Sequence, residues 1–279
     1  YFETCQSHYR TFWENGIPVD VVNMDCDFSK YDILVAPMLY MVRTGVGSRI
    51  EEFVQKGGIF VTTYLSGMVD ENDLCFLGGF PGPLRKVTGI WSEEIDCLYD
   101  DDVNHVSFLH DVRPDAVLNG KEEQVKEGNA IEKNYEARVF CDLIHCETAK
   151  PIAVYTSDFY AGRPAVTVNH LGKGECYYIA FRNNKEFLQD FYNALIQDLY
   201  QEGVHLERAI DTDLPYGVTA QLRTDGQKDY VFISNFDSSP KVVPLDNNVY
   251  TDLLTGTAVS RTVKLRPYAM AILERPCRT

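Results

Sequence analysis

A chain of 279 residues with 45% hydrophobic content is long enough for one large or two ordinary domains and can bury a sizeable core, which excludes disorder as its ground state. Acidic residues outnumber basic ones 41 to 26, for a net charge of −15, and no stretch concentrates Lys or Arg, so nucleic acid and anionic membranes are excluded as partners. The longest apolar run, Ile33 to Val42, is about half of what a bilayer crossing needs, and no charged-then-apolar leader opens the chain, so a soluble, cytoplasmic protein is expected.

Tyr1, Cys5, His8, Tyr9, Phe12 and Trp13 recur at helical spacing, predicting an amphipathic helix that ends at Gly16 and Pro18. The pattern is already running at Tyr1, with no Met before it, so a piece of something longer is the expectation. Val19-Asp20-Val21-Val22 reads as a first strand, and Ile33-Leu34-Val35-Ala36-Pro37 as a second, stopped by its proline. Val46, Ile50, Phe53 and Val54 line a helix that must stop at Gly57-Gly58. The run from Ile59 to Tyr64 is β-branched and aromatic, too short for a helix, and reads as a central strand buried on both faces of a parallel sheet. Strands joined in this order by helices predict an α/β, doubly wound sheet.

A polar, acidic turn follows (Ser66, Gly67, Asp70, Glu71, Asn72, Asp73), then the Gly/Pro-rich segment from Gly78 to Pro83. Long irregular connections at the carboxyl end of a parallel strand are where α/β folds place function. The three carboxylates invite a glycosidase mechanism, but that chemistry needs two carboxyls facing each other across a sugar, normally from different elements. Tyr64-Leu65-Ser66-Gly67 invites comparison with a nucleophile elbow, yet Tyr64 and Met68 stand where that turn wants glycine. His145, His170 and His205 are isolated in sequence, and neither a G-x-G-x-x-G after a strand nor a P-loop occurs. Asp100-Asp101-Asp102 reads as a charged turn.

From Trp91 to Arg182 the pattern becomes short strands and hairpin turns, interrupted by a polar surface excursion from Asp111 to Tyr135. Within it, Ile152–Tyr155, Ala165–Val168 and Cys176–Ala180 read as strands, the last two joined by a turn at Leu171-Gly172-Lys173-Gly174. The stripe from Phe187 to Tyr200 predicts a helix capped by Asn184 and left at Gly203. Beyond Leu206, short strands at Val218–Arg223, Tyr230–Ser234, Lys241–Leu245, Val249–Leu253, Thr262–Leu265 and Ala269–Glu274 form a small antiparallel β-sandwich, with a hairpin at Asp225-Gly226. The expected division is therefore 1–205 and 206–279. Eight cysteines include no C-x-x-C pair. In CDLIHC, alternation puts Cys141 and His145 on one face and Cys146 on the other, too few ligands for zinc, so no metal or cofactor is expected.

At LVAPMLYMV (34–42), VTTYLSGMVDENDLCFLGGFPGPLRKVTGI (61–90), DFYAGRPAVTVNHLGKGECYYIA (158–180) and YTDLLTG (250–256) the chain resembles the non-barrel portion of family 42 glycoside hydrolases, the microbial β-galactosidases. The resemblance implies a trimerisation domain with a class I glutamine-amidotransferase-like (flavodoxin-like) sheet carrying β-hairpin additions, then a small β-domain, both lying behind a catalytic (β/α)8 barrel. It implies that the catalytic glutamates lie in that barrel, so no residue here is carried over as catalytic. The expected role is a homo-oligomeric, trimer-forming accessory portion of a retaining β-galactosidase, reaching its galactoside substrate through the barrel. Met68, Phe76, Phe80 and Pro81 are the expected interface residues, apolar groups that cost about 2 kcal/mol each to leave wet. Two other readings stand beside it: a self-contained hydrolase or amidotransferase with a divergent site, and a carbohydrate-binding module using Tyr216, Tyr230 and Tyr250.

Overall fold

The structure, a computed structural model, describes residues 1–109, 133–201, 203–204 and 206–277. The expected surface excursion falls outside the described residues as far as 132, as does His205. Two compact units emerge, one built from Tyr1–His8 and Val22–Glu202 and the other from Tyr9–Val21 and Gly203–Thr279.

The amino-terminal helix α1 (Phe2–Glu14) gives its first turns to the first unit. There β1 (Ile33–Ala36), α2 (Val46–Gln55) and β2 (Ile59–Thr63) make a parallel β-α-β unit, with Ile33 opposite Ile59 and Val35 opposite Val61. The stripe Val46, Ile50, Phe53 and Val54 is buried as its spacing requires. The helix ends where Gly57 and Gly58 donate back to the carbonyls of Val54 and Phe53. A 3₁₀ turn (Gly82–Leu84) and α3 (Arg85–Thr88) lead into β3 (Ile90–Cys97), followed by β4 (Asn104–Phe108), β5 (Asn134–Ala137), β6 (Phe140–Cys146), β7 (Lys150–Tyr155), β8 (Pro164–Leu171), β9 (Gly174–Ile179) and α4 (Lys185–Gln201).

Seven strands form one sheet in the order β1-β2-β9-β8-β7-β4-β5. The α/β class is as expected, but only β1, β2 and β9 run parallel. From β9 to β5 every pairing is antiparallel, so the sheet is mixed and its second half is built of hairpins. Strands β3 and β6 pair apart from it as a bulged ribbon. Alternate β9 residues look to opposite faces: Cys176 joins the cluster of Phe53, Val54 and Phe60, while Tyr177 meets Phe191 of α4 edge-on with ring centroids 5.5 Å apart. Helices thus cover both faces, which is why β2 is buried along its whole length. Asn184 caps α4 as expected, its Oδ1 accepting the Phe187 N–H at 2.9 Å. The β8–β9 hairpin turns at Gly172, which has φ +67° and so little room that a Cβ there would lie 2.6 Å from the Gln55 carbonyl oxygen.

The strand expected at Val19–Val22 does not form. The segment pairs with no strand among the described residues, and Val21 is 87% exposed. Its apolar composition is real, but a strand exists only through a neighbour's hydrogen bonds.

The second unit carries β10 (Val218–Thr224), β11 (Lys228–Asn235), β12 (Lys241–Pro244), β13 (Tyr250–Asp252), β14 (Thr257–Val259), β15 (Thr262–Leu265) and β16 (Met270–Pro276). A five-stranded sheet, β10-β11-β16-β13-β14, and the β12–β15 ribbon enclose one core that includes Val231, Ile233, Val243, Leu265 and Leu273. The β10–β11 hairpin turns where expected: Asp225 accepts the N–H groups of Gln227 and Lys228, and Gly226 (φ +86°) stands in open space. Its buried ionic centre is Arg275, whose Nε lies 3.2 Å from Asp229 and whose Nη1 lies 3.1 Å from Asp246 and 3.0 Å from the Tyr250 hydroxyl.

Candidate functional site

The connection after β2, residues 64–84, is the place the topology selects, and its first turn bears on nucleophilic chemistry. Leu65 takes a left-handed conformation, φ +57°, so the strained position at the strand end carries an aliphatic side chain. Ser66, one residue on, is buried; its Oγ accepts the Leu39 N–H at 3.0 Å and shares a 2.8 Å hydrogen bond with Thr62 Oγ1. A hydroxyl spent on its own backbone and closed off from solvent is not an attacking group.

Beneath Leu65 lies a residue that sequence reasoning passed over. Asp142 of β6 is buried; Tyr178 donates its hydroxyl to Oδ2 at 2.6 Å, the Leu65 N–H approaches the same oxygen at 3.4 Å, and Oδ1 finds no partner among the described residues. Burial pushes this carboxyl up to about 7, against the opposing pull of those two donors. The signal in the sequence is a lone carboxylate in the apolar strand run around CDLIHC.

Two carboxylates of the acidic turn, Asp70 and Glu71, are taken up by structure. Asp70 Oδ1 accepts the N–H groups of Asn72 and Leu74, at 2.8 and 3.1 Å. Glu71 reaches across to the start of α2, taking the Thr44 N–H at 3.0 Å and the Thr44 hydroxyl at 2.9 Å. Hydrogen bonds from Leu74 and Asn72 hold Asp70 below its usual range, and Glu71 is lowered by its own N–H and by Thr44. Neither is an acid poised to donate a proton near neutrality.

The expected interface residues divide by position. Pro81 is buried, and Met68, Phe76 and Phe80 are half-buried, with Phe76 packed on the α2 core. Gly67 holds the two ends of the loop together: at φ +64°, a Cβ there would meet the Pro81 carbonyl oxygen at 2.0 Å. Leu74, Cys75 and Leu77 face outward instead, although sequence reasoning did not single them out.

Elsewhere, His145 stacks on Trp91 with ring centroids 4.4 Å apart and sits 2.6 Å from Glu93, which also binds Arg163 at 2.9 Å. Cys141 is buried and pushed up to about 11 by desolvation. In the second unit Tyr216 is exposed, Tyr230 donates to Asp225, and Tyr250 is fully buried beside Arg275. The three tyrosines therefore do not form a sugar-stacking surface.

Comparison with known proteins gives two family matches. Residues 1–201 match the β-galactosidase trimerisation domain and residues 217–275 the β-galactosidase C-terminal domain. Across 99% of its length the chain is 55% identical to β-galactosidase Pbg of Clostridium perfringens, and across 100% it is 42% identical to β-galactosidase BglY of Alicyclobacillus acidocaldarius. It spans 37% and 38% of the lengths of those relatives. Among solved structures, the β-galactosidase of Rahnella sp. R3 superimposes with a TM-score of 0.85 at 46% identity, over 98% of this chain and 36% of that one. That of Bacillus circulans sp. alkalophilus gives 0.86 at 34% identity, over 99% and 37%.

Proposed function

Because the chain belongs to the β-galactosidase family through its trimerisation and C-terminal domains, we propose that it serves as the oligomerisation and accessory portion of a retaining enzyme that releases terminal β-D-galactosyl residues. The observation that carries this reading is the trimerisation-domain match over 1–201, joined to a loop whose Ser66, Asp70 and Glu71 side chains are engaged in holding backbone N–H groups of Leu39, Asn72 and Thr44. In this reading the chain is catalytically silent and holds three subunits together. The division between the two domains lies near residue 205, and the first is a flavodoxin-like, glutamine-amidotransferase-like sheet stripped of its nucleophile. The parallel β1-β2-β9 core, with a sharp left-handed turn after β2, supports that assignment. The loop bearing Met68, Phe76, Phe80 and Pro81 belongs to the subunit contact. No helix among the described residues is long and apolar enough to cross a membrane, and the reading places the protein in the cytoplasm.

Light scattering on the purified chain, paired with a chromogenic galactoside assay, tests the reading. A threefold mass with no turnover is expected. Robust hydrolysis by this chain would overturn it in favour of a self-contained hydrolase.

A further inference from the structure

Asp142 is pinned along its backbone. Its N–H donates to the Ala180 carbonyl at 2.6 Å, and its own carbonyl accepts the Tyr155 hydroxyl, which also reaches the Ala180 carbonyl. Water therefore reaches the carboxyl only through movement of what covers it. Of its two donors, Tyr178 stands on β9, a strand paired on both sides. The other is the turn at Leu65, half-buried, left-handed at φ +57° and joined to Oδ2 by a long 3.4 Å contact. On either side of it the chain is fixed, by Tyr64 N–H on the Ile179 carbonyl and Gly67 N–H on the Leu39 carbonyl, both at 2.8 Å. The slack in the cover is thus confined to one turn, and beneath it Oδ1 has no partner among the described residues.

The ionisable groups that bear on the carboxyl are Tyr64 at the end of β2, Tyr155 of β7, Tyr178 of β9 and the neighbouring Cys141 thiol, and burial raises all four. They are neutral near neutral pH, so none offsets a buried carboxylate. Arg182 bears on Tyr64 and is itself paired with Glu3 at 3.0 Å.

We propose that Asp142, Tyr178 and the turn at Leu65 form a proton-operated latch: the turn closes over the neutral acid, and opening it to water releases the proton, so rising pH draws the turn open. The latch sits where the 64–84 connection leaves β2, and it is independent of the trimerisation reading. Closed, the carboxyl titrates at about 7; opened to water, it returns to its ordinary 3.8. Opening therefore gains about tenfold for each pH unit between those values and no more above about pH 7, where both forms have lost the proton.

Hydrogen exchange at the Leu65 amide of the full chain, resolved by peptide mass from about pH 4 to about pH 8, reads this opening. An ordinary amide speeds up about tenfold per pH unit, whereas Leu65 is expected to speed up about 100-fold per unit up to about pH 7 and about tenfold beyond it. Low urea is expected to leave Leu65 exchange unchanged while it speeds the amides in the middle of β2, as a local opening requires. Asp142→Asn is expected to restore the ordinary dependence throughout. Tyr178→Phe removes a donor that steadies the charged form and is expected to carry the break in slope above about pH 7. A Leu65 amide with the ordinary dependence at every pH, an excess that persists in Asp142→Asn, or a break that stays in place in Tyr178→Phe would overturn the latch. So would an excess that urea shifts together with β2, which marks unfolding of the whole unit.

Discussion

Replacing Asp142 by asparagine isolates the cost of burying a carboxyl behind the loop. The folded group titrates at about 7 against an ordinary value of 3.8, and a separation of about three pH units at ~1.4 kcal/mol each amounts to about 4 kcal/mol. Between those values the unfolded chain has released the proton while the native one keeps it. Stability therefore falls as pH rises through this window, and the full penalty is in place above about pH 7. Asparagine removes the titration and keeps an acceptor for Tyr178 and Leu65, but it sets an amide N–H₂ where Oδ1 has no partner, a loss of about 1–3 kcal/mol at any pH. Asp142→Asn is thus expected to be less stable than wild type near about pH 4 and more stable, by about 1–3 kcal/mol, near about pH 8. Urea unfolding followed through Trp91 reads this directly in a Trp13→Phe background, since Trp91 pairs across the ribbon with His145 on the strand that carries Asp142. A difference between variant and wild type that does not move with pH would refute the reasoning.

Other perturbations test the remaining supports. Removing the α4 cap with Asn184→Ala leaves the Phe187 N–H without its 2.9 Å partner and is expected to cost about 1 kcal/mol in urea unfolding of the first unit. Gly67→Ala drives a Cβ into the Pro81 carbonyl at a position with φ +64°, and an expected loss of at least about 2 kcal/mol would show as a lowered urea midpoint. Arg275→Met takes the guanidinium away from Asp229 and Asp246 in the second unit. Breaking one member of a buried ion cluster is expected to cost about 3–5 kcal/mol, measured through Trp13 fluorescence in a Trp91→Phe background.

Elements whose residues repeat with a local period were legible. The stripe of α2, the unbroken apolar run of β2 and the Asp225-Gly226 turn each declare themselves within about ten residues. Val19–Val22 has the composition of a strand, but composition does not supply a partner, and the sheet ends at β1. The hairpins of the antiparallel half of the sheet show in the sequence as turn signals, whereas the return of β7 to pair with β4 links residues far apart in sequence, which no local pattern encodes. At the loop, apolar size alone does not tell inward from outward: the backbone turns Phe76 into the α2 core and leaves its neighbour Leu77 outside. Asp142 was visible as a carboxylate amid apolar residues, but its meaning depends on Tyr178 and Leu65, which only the folded chain brings to it.

The two glycine hairpins differ in what lies outside them. At Gly172 the turn is wedged against the end of α2, with Gln55 filling the space a side chain would need, whereas at Gly226 no atom of the described residues would stand within 4 Å of a Cβ. A peptide tag or a fluorescent label spliced in at Gly226 has room to leave the surface freely. The same insert at Gly172 would prise a helix from its sheet, so only one of these two turns is a practical attachment point for handling the protein.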